Sequence, residues 1–203
     1  MQSVDLSQLV SFTIAVNAQP LPDAIRCLSM ELQLSAYGQA SASLVLDTAL
    51  VPSTQKLLLP GSAIALGLGP GGLNQLRLSG RILSLRLRLQ PNQPPTLELQ
   101  CQIEQVLYPG ASAQAAQPEL LLVMGESLLA ADLTLQSLPG EPVQSDFGVS
   151  GQVQCAGSIA AQPGGLLVLR GCGRRFDGAH RIGQVTHHIS EGCWLTEVSL
   201  AQG

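Results

Sequence analysis

The sequence predicts an all-β protein made of two small antiparallel β-barrels joined by a short linker. Apolar and polar residues alternate over most of its 203 residues, which is the two-residue period of half-buried strands. Its 21 glycines and 13 prolines divide these alternating runs into short segments. Residues 10–106 contain no convincing helical pattern. Short strands separated by turn residues are typical of small barrels.

The first barrel is predicted over residues 1–107. Val10, Phe12, Ile14 and Val16 alternate with polar or small residues, and the loop at residues 17–23 follows them. The same alternation recurs five more times before residue 107, and six or seven strands are enough for a small antiparallel barrel. The strands are predicted at residues 10–16, 28–34, 42–46, 63–68, 76–89 and 97–103.

The strand at residues 76–89 changes its apolar face partway along. Leu76 and Leu78 share one face with Gly80, but the following leucines occupy the opposite parity. A change of phase inside one strand requires a bulge or a bend, and glycine permits it. We therefore predict a bulge or a sharp bend at Gly80 and an apolar face beyond it, formed by Leu83, Leu85, Leu87 and Leu89.

Arg86 and Arg88 lie on the face opposite these leucines. Two interpretations are open. The pair forms a solvated strand face, or it provides a polar lining or a contact between subunits.

The second barrel, with a short helical turn, is predicted over residues 119–203, after a small, polar, proline-bounded linker at residues 108–118. A loop is expected at residues 138–148, and a hairpin turn at Ser190-Glu191-Gly192. The helical turn would contain Glu126. The strands are predicted at residues 120–124, 149–155, 165–170, 181–189 and 193–200.

Composition predicts an obligate oligomer. Hydrophobic residues form 45% of the chain, whereas only 12% are charged, so much of the surface must be apolar or neutral. Contacts between subunits would bury part of that surface, and the alternative is a monomer with an exterior rich in Gln, Ser and Ala. The net charge of −4 comes without any basic run, so nucleic-acid binding is not expected.

The sequence also bears on location. The first twelve residues lack both the charged and the apolar region of a signal peptide. No uninterrupted apolar stretch approaches about 18 residues, so no membrane-spanning helix is expected. We expect the chain to be made and folded in the cytoplasm.

Catalytic and metal-binding roles are not predicted for the three histidines. His187 and His188 are adjacent on a predicted strand, so their side chains point to opposite faces and cannot hold one metal together. His180 stands apart from them. Asp177 precedes Gly178 in a turn, and Glu126 fits a structural role.

Other motifs also favour structural roles. The chain has no GxSxG, HExxH or phosphate-binding loop, and residues 67–72, GLGPGG, lack the strand-to-helix context that phosphate binding requires. Five widely spaced cysteines fit neither a zinc site nor a disulfide framework. Trp194 is expected to anchor a core or an interface. We therefore expect no enzyme and no catalytic, cofactor-binding or metal-binding residue.

The closing part of the chain carries the most specific motifs. They are GQVQCAG, PGGLLVLRGCGRRFDG and VTHHISEGCWLTEVSL, with MGESLL before them and SFTIAVNAQPLP, GSAIALGLG and LRLSGRILSL in the first half. These motifs, taken in their order along the chain, resemble those of the phage late control protein D family. That family includes baseplate hub proteins and the N-terminal part of type VI secretion valine-glycine-repeat spike proteins.

The resemblance implies a structural hub of a contractile injection system or phage tail. Hubs of this family are trimers whose three chains present six barrels in a ring, which adapts a six-fold tail tube to a three-fold spike. The implied partners are further copies of the chain, a spike protein, the tail tube and other baseplate proteins. The implied location is a phage-tail-like particle or virion.

The sequence departs from the family in one respect. Full hubs carry an additional domain, whereas only about 40 residues separate the two clear barrel patterns here. We therefore expect a minimal two-barrel hub that needs a separate spike protein, with a shortened paralogue outside the hub position as an alternative. A hexameric tail-tube or tube-initiator subunit is a further alternative. A carbohydrate-binding or adhesin module is another, although two Tyr, three Phe and one Trp offer few stacking surfaces.

Overall fold

The computed structural model describes residues 10–48, 56–91, 93–109, 119–137, 147–190 and 192–201, and these are almost entirely antiparallel β-structure. The predicted all-β class is confirmed. The strands of the described residues are β1 (Val10–Val16), β2 (Gln19–Pro20), β3 (Ile25–Ser35), β4 (Ala40–Thr48), β5 (Ala63–Pro70), β6 (Leu76–Arg88), β7 (Thr96–Leu107), β8 (Glu119–Val123), β9 (Leu128–Ser137), β10 (Phe147–Ala156), β11 (Leu166–Arg170), β12 (Gly178–Ser190) and β13 (Cys193–Leu200).

The chain divides into two compact units whose segments alternate along the sequence. The first comprises the described residues within Met1–Leu32, Ala40–Ser112 and His188–Trp194. The second comprises those within Gln33–Gln39, Ala113–His187 and Leu195–Gly203. Strands β3, β12 and β13 therefore each contribute residues to both units. The domain boundaries proposed from the sequence follow the chain continuously, and they remain a prediction.

The first unit contains the strand order β2-β1-β5-β6-β7-β4-β3. Alternation places every second side chain in the core, and Ala42, Leu44 and Leu46 on β4 are all at most 1% exposed. Other strands follow the same rule. The buried apolar residues of this unit also include Ile14, Val16, Ile25, Met30, Leu32, Leu58, Ile64, Leu66, Leu68, Leu76, Leu78, Ile82, Leu99, Cys101, Ile103, Ile189 and Trp194.

The register between β6 and β7 shifts twice. Between Ser79 and Gly80 the extra residue is Glu104 on β7, and between Ile82 and Ser84 it is Leu83 on β6, so the bulge in β6 itself lies at Leu83, three residues after Gly80. Beyond the second shift Leu85 lies opposite the buried Leu99, so the phase of the apolar face does change.

The position of Leu83 corrects the predicted apolar face. Leu83 is 58% exposed because it is the extra residue of the bulge and has no partner on β7. Leu87 and Leu89 are also exposed, at 48% and 65%.

The second unit contains the order β12-β13-β10-β9, with β11 paired to β12 and β8 paired in parallel to β11. Ser127 N donates to Val123 O at 3.1 Å in the connection from β8 to β9, where the sequence predicts a short helical turn; this single turn does not continue as a helix. The core of the unit consists of Leu120, Leu122, Val153, Cys155, Ala161, Leu167, Leu169, Ile182, Val185, Val198 and Leu200.

The described strands do not close into barrels. In the first unit the hydrogen-bonded order of the described strands runs from β2 to β3, in the second it runs from β12 to β9, and neither order returns to its start. Barrel closure, which the sequence predicts, is thus not seen in this part of the chain. Most of the predicted linker (110–118), most of the predicted loop at 138–148 (138–146) and Glu191 of the predicted hairpin turn lie outside the described residues.

Candidate interaction surfaces

The three histidines occupy separate environments. His187 is fully buried, and its Nδ1 lies 3.0 Å from Thr196 Oγ1. His188 is on the opposite face, where its Nδ1 lies 3.5 Å from Glu31 Oε2. His180 Nε2 donates to the carbonyl oxygen of Phe176 at 2.8 Å. The described residues contain no group of three His, Cys, Asp or Glu side chains placed to hold a metal.

Two of the other polar residues singled out in the sequence, Asp177 and Arg88, hold a turn and a strand pair. Asp177 Oδ1 accepts a hydrogen bond from Cys172 N at 2.7 Å within a turn. Arg88 Nη2 lies 2.6 Å from Glu98 Oε1 on the neighbouring strand, and Arg86 is exposed. Glu126 is exposed in the turn between β8 and β9.

Trp194 is 8% exposed. Residues 67–72 form the end of β5 and the turn that follows it. No helix in the described part of the chain is both long and apolar enough to cross a membrane.

The cysteines differ in exposure. Burial raises the pKa of the Cys101 thiol to about 12 and that of Cys155 to about 11. Burial also raises the pKa of Cys27 to about 11, against a smaller opposing effect of a backbone hydrogen bond at Ser29. Cys193 is exposed, and all five thiols are free. Since the thiolate is the reactive form, the buried cysteines should be inert.

Thiol labelling tests this difference. With a disulfide reagent at pH 8, we expect Cys193 to give the fast reaction, while Cys101 and Cys155 react only after unfolding. Cys193→Ser should remove one thiol from the fast phase and leave the phase released by denaturant. A fast phase of unchanged amplitude in this variant would contradict the exposure of Cys193.

A shallow cleft of about 510 Å³, here called the small-residue cleft, lies on the outward face of β1, β5, β6 and β7 in the first unit. Two cross-strand rows form it. Ala15, Ala65, Ser79 and Gln105 lie opposite one another in the first row, and Thr13, Gly67, Arg77 and Leu107 in the second. Its floor is flat because most of these side chains are small.

The rim of the small-residue cleft is held by a loop that folds back onto β1 and β5. Asn74 Nδ2 donates to Thr13 Oγ1 at 3.3 Å, and Asn74 Oδ1 accepts from Ser11 Oγ at 3.0 Å. Leu73 is therefore fixed beside the cleft while 62% exposed, and Leu107 on β7 is 51% exposed. Large apolar side chains at a small-residue floor favour contact with another protein surface.

The second unit has a cleft of about 550 Å³, here called the apolar cleft. Every residue that lines it is apolar, a glycine or a cysteine. Two of the most exposed large apolar side chains of the unit, Met124 (63%) and Leu129 (59%), belong to it. The lining is Met124, Gly125, Leu128, Leu129, Ala130, Ala131, Leu133, Cys172 and Phe176.

Sequence reasoning did not find either cleft. Leu129 is the inserted residue where the register between β9 and β10 shifts, so its exposure follows from a bulge and not from alternation. One extra residue in a strand reverses the face on which a side chain lies. No glycine stands next to Leu129 in the sequence to mark the position of this extra residue.

The fold is shared with phage-tail proteins. Over 95% of this chain it is similar to the 43 kDa tail protein of prophage MuSo2 from Shewanella oneidensis (98% of that chain, TM-score 0.62, 7% identity). A tail protein from Neisseria meningitidis MC58 is similar over 95% of this chain and 96% of its own (TM-score 0.64, 8% identity).

A type VI secretion component also shares the fold. The E. coli c3393 protein, described as structurally similar to the T4 bacteriophage tail proteins gp27 and gp5, matches 94% of this chain and 76% of its own (TM-score 0.51, 10% identity). A family model for the Alg8 N-terminal domain matches residues 143–191 only. No curated protein matches the sequence.

Proposed function

We propose that this chain is a non-enzymatic structural protein of a phage tail or contractile injection system, and specifically its baseplate hub. The observation that carries the proposal is the fold similarity to two phage-tail proteins, which spans 95% of this chain and nearly all of each relative. A match over the whole length supports a common architecture and not one shared subdomain.

The proposed hub is a trimer that joins a six-fold tail tube to a three-fold spike protein. Two compact units per chain support it, because three chains would then present six units in one ring. In this proposal residues 1–107 and 119–203 form the two barrel-like parts, joined by residues 108–118. The open strand order suits a ring, since neighbouring copies would cover the free edges.

The small-residue cleft is the proposed contact between copies. The small residues of its floor, Ala15, Ala65, Gly67 and Ser79, allow another surface to approach closely, while Leu73 and Leu107 would insert at its rim. Burying one leucine contributes about 1.5–3 kcal/mol. The few charged residues of the chain agree with a surface that is covered in the assembly.

The stoichiometry of the purified protein tests the proposal. Native mass spectrometry should give a trimer, three times 21.2 kDa or about 64 kDa. A hexamer would instead favour the tail-tube or tube-initiator alternative, because that subunit differs from a hub in its symmetry. A stable monomer at micromolar concentration would overturn both.

A double substitution tests the assigned contact. Leu73→Asp with Leu107→Asp should weaken association by more than about 10-fold, because two carboxylates would have to be buried at the rim. The matched control is Tyr37→Asp with Leu121→Asp, which adds the same charge at two exposed apolar residues outside the cleft. If native mass spectrometry gave the same distribution of oligomers for both double variants, the small-residue cleft would not be part of the interface.

A further inference from the structure

The small-residue cleft is already formed in the single chain, because hydrogen bonds hold the loop at its rim. Leu73 N donates to Pro70 O at 3.0 Å, and Gln75 N donates to Leu73 O at 2.8 Å. The loop lies directly against β5, since a Cβ added at Gly69 would overlap the carbonyl oxygen of Leu73. A partner that binds a preformed wall of this kind orders few further groups, which favours association.

Of the described residues that line the small-residue cleft, Arg77 alone is charged. A second cavity of about 410 Å³ shares Leu73, Asn74, Arg77 and Leu107 with this cleft, and Arg77 is again the one charged residue in its described lining. On the strand ladder Arg77 lies between Gly67 and Leu107, so its neighbour on β5 has no side chain. The charge therefore stands at the centre of an otherwise uncharged surface.

Arg77 has no anionic partner within the described part of the chain. It is exposed, and no ion pair or side-chain hydrogen bond joins it to another described residue. Glu104 is the acidic residue that lies nearest to the lining in sequence, beside Gln105, and it pairs with Arg81 at 3.1 Å. The guanidinium of Arg77 therefore keeps its N–H donors available for a further acceptor.

We propose that Arg77 is the polar centre of the contact between copies, where it pairs with a carboxylate of the neighbouring copy while Leu73 and Leu107 pack around the pair. This inference rests on the proposed function, because it assigns the chemistry of the contact placed at the small-residue cleft. The chain can supply the partner, since it has 14 acidic residues against 10 basic ones. Four exposed carboxylates of the described residues make neither an ion pair nor a side-chain hydrogen bond, namely Asp23, Glu119, Glu126 and Asp132.

The single charge of the cleft also favours one kind of contact over another. A two-fold contact centred on the cleft would bring two guanidinium groups together without a carboxylate, and like charges across an interface are unfavourable. A head-to-tail contact instead sets Arg77 against a different surface of the next copy, and repeated head-to-tail contacts can close into a ring. The carboxylate therefore belongs to a surface of the neighbouring copy outside its own cleft.

Substitutions of Arg77 separate the effect of its charge from that of its packing. Arg77→Met keeps a long side chain and removes the charge, whereas Arg77→Lys keeps the charge. The dissociation constant of the oligomer should rise at least about 10-fold in Arg77→Met, less in Arg77→Lys, and most in Arg77→Glu, where two negative charges would meet. Sedimentation equilibrium of the full chain measures this constant.

Arg86 provides the matched controls, because it is an exposed arginine on the same strand and lines neither cavity. Arg86→Met and Arg86→Glu change the net charge by the same amounts as the corresponding variants of Arg77. Each should leave the dissociation constant within about 3-fold of the wild-type value, since exposed charges contribute little. Circular dichroism of each variant confirms that it is folded.

Two results overturn the inference and leave the hub in place. One is an oligomer that Arg77→Met forms as tightly as Arg77→Lys does, because the cleft would then act through packing alone. The other is an equal loss of association in the Arg86 variants, which would make the effect one of net charge. A wild-type chain that stays monomeric overturns the inference and the proposed function together, whereas a hexamer weakened by Arg77→Met supports the inference and overturns the hub.

Discussion

Gly80→Ala should lower the free energy of unfolding by about 3 kcal/mol, at the upper end of the range for overpacking a well-packed site. A Cβ at this position would lie 1.9 Å from the carbonyl oxygen of Gln102 and 2.9 Å from the Cα of Ile103. Both atoms belong to the backbone of β7, so no side-chain rotation can relieve the contact. β6 and β7 would have to separate where the flanking Leu78 and Ile82 are buried.

Urea denaturation followed by circular dichroism measures this loss. The matched control is Gly38→Ala, because Gly38 has a φ of +97° but no atom within 4 Å of the added Cβ. The free energy of unfolding of the control should fall by only about 1–2 kcal/mol, which is the cost of a left-handed conformation for a residue other than glycine. If the two variants unfolded at the same urea concentration, close approach to β7 would not be the reason for glycine at position 80.

The second unit also contains a strand glycine that lies close to the backbone of the neighbouring strand. A Cβ at Gly151 on β10 would lie 2.0 Å from the carbonyl oxygen of Asp132 on β9. Each unit also contains a bulge whose inserted residue is an exposed leucine, Leu83 in one and Leu129 in the other. A bulge re-aims one side chain while the strand keeps its pairing, and in both units it moves a leucine from the core to the surface.

The strands were predictable because alternation is a local property. Most of the described strands lie within a few residues of the runs where apolar residues alternate. The change of phase in β6 indicates a bulge or a bend, and the structure has a bulge three residues after Gly80. The sequence could not show which residue is inserted, because a shift of one position changes every later face. Alternation alone therefore places Leu83 on the wrong face.

Pairing between segments that are distant in sequence could not be predicted. The parallel pair β8 and β11 joins segments more than 40 residues apart. The apolar cleft is formed by residues that follow β8 and β11 together with residues of β9. No local pattern encodes such proximity. The isolated histidines and the turn at Asp177 were easier to interpret, because the opposite faces of adjacent strand residues and the preference of Asp for turns depend on neighbours in sequence.

Leu99→Ala and Leu83→Ala should differ sharply, although both residues belong to the paired strands β6 and β7. Leu99 is 1% exposed, and truncating a buried leucine removes its transfer free energy and leaves a cavity. We expect a loss of about 3 kcal/mol in the free energy of unfolding. Leu83 is 58% exposed, so its truncation should change stability by less than about 0.5 kcal/mol.

This pair of variants decides between the two assignments of the β6 face. If plain alternation beyond Gly80 held, Leu83 would pack with Leu85 and both alanine variants would lose a similar amount of stability. If Leu83 is the inserted residue, only Leu99→Ala shifts the urea midpoint. Thermal unfolding of Leu83→Ala at several protein concentrations then shows whether the exposed leucine contributes to association, because only a contact between copies makes the difference from wild type depend on concentration.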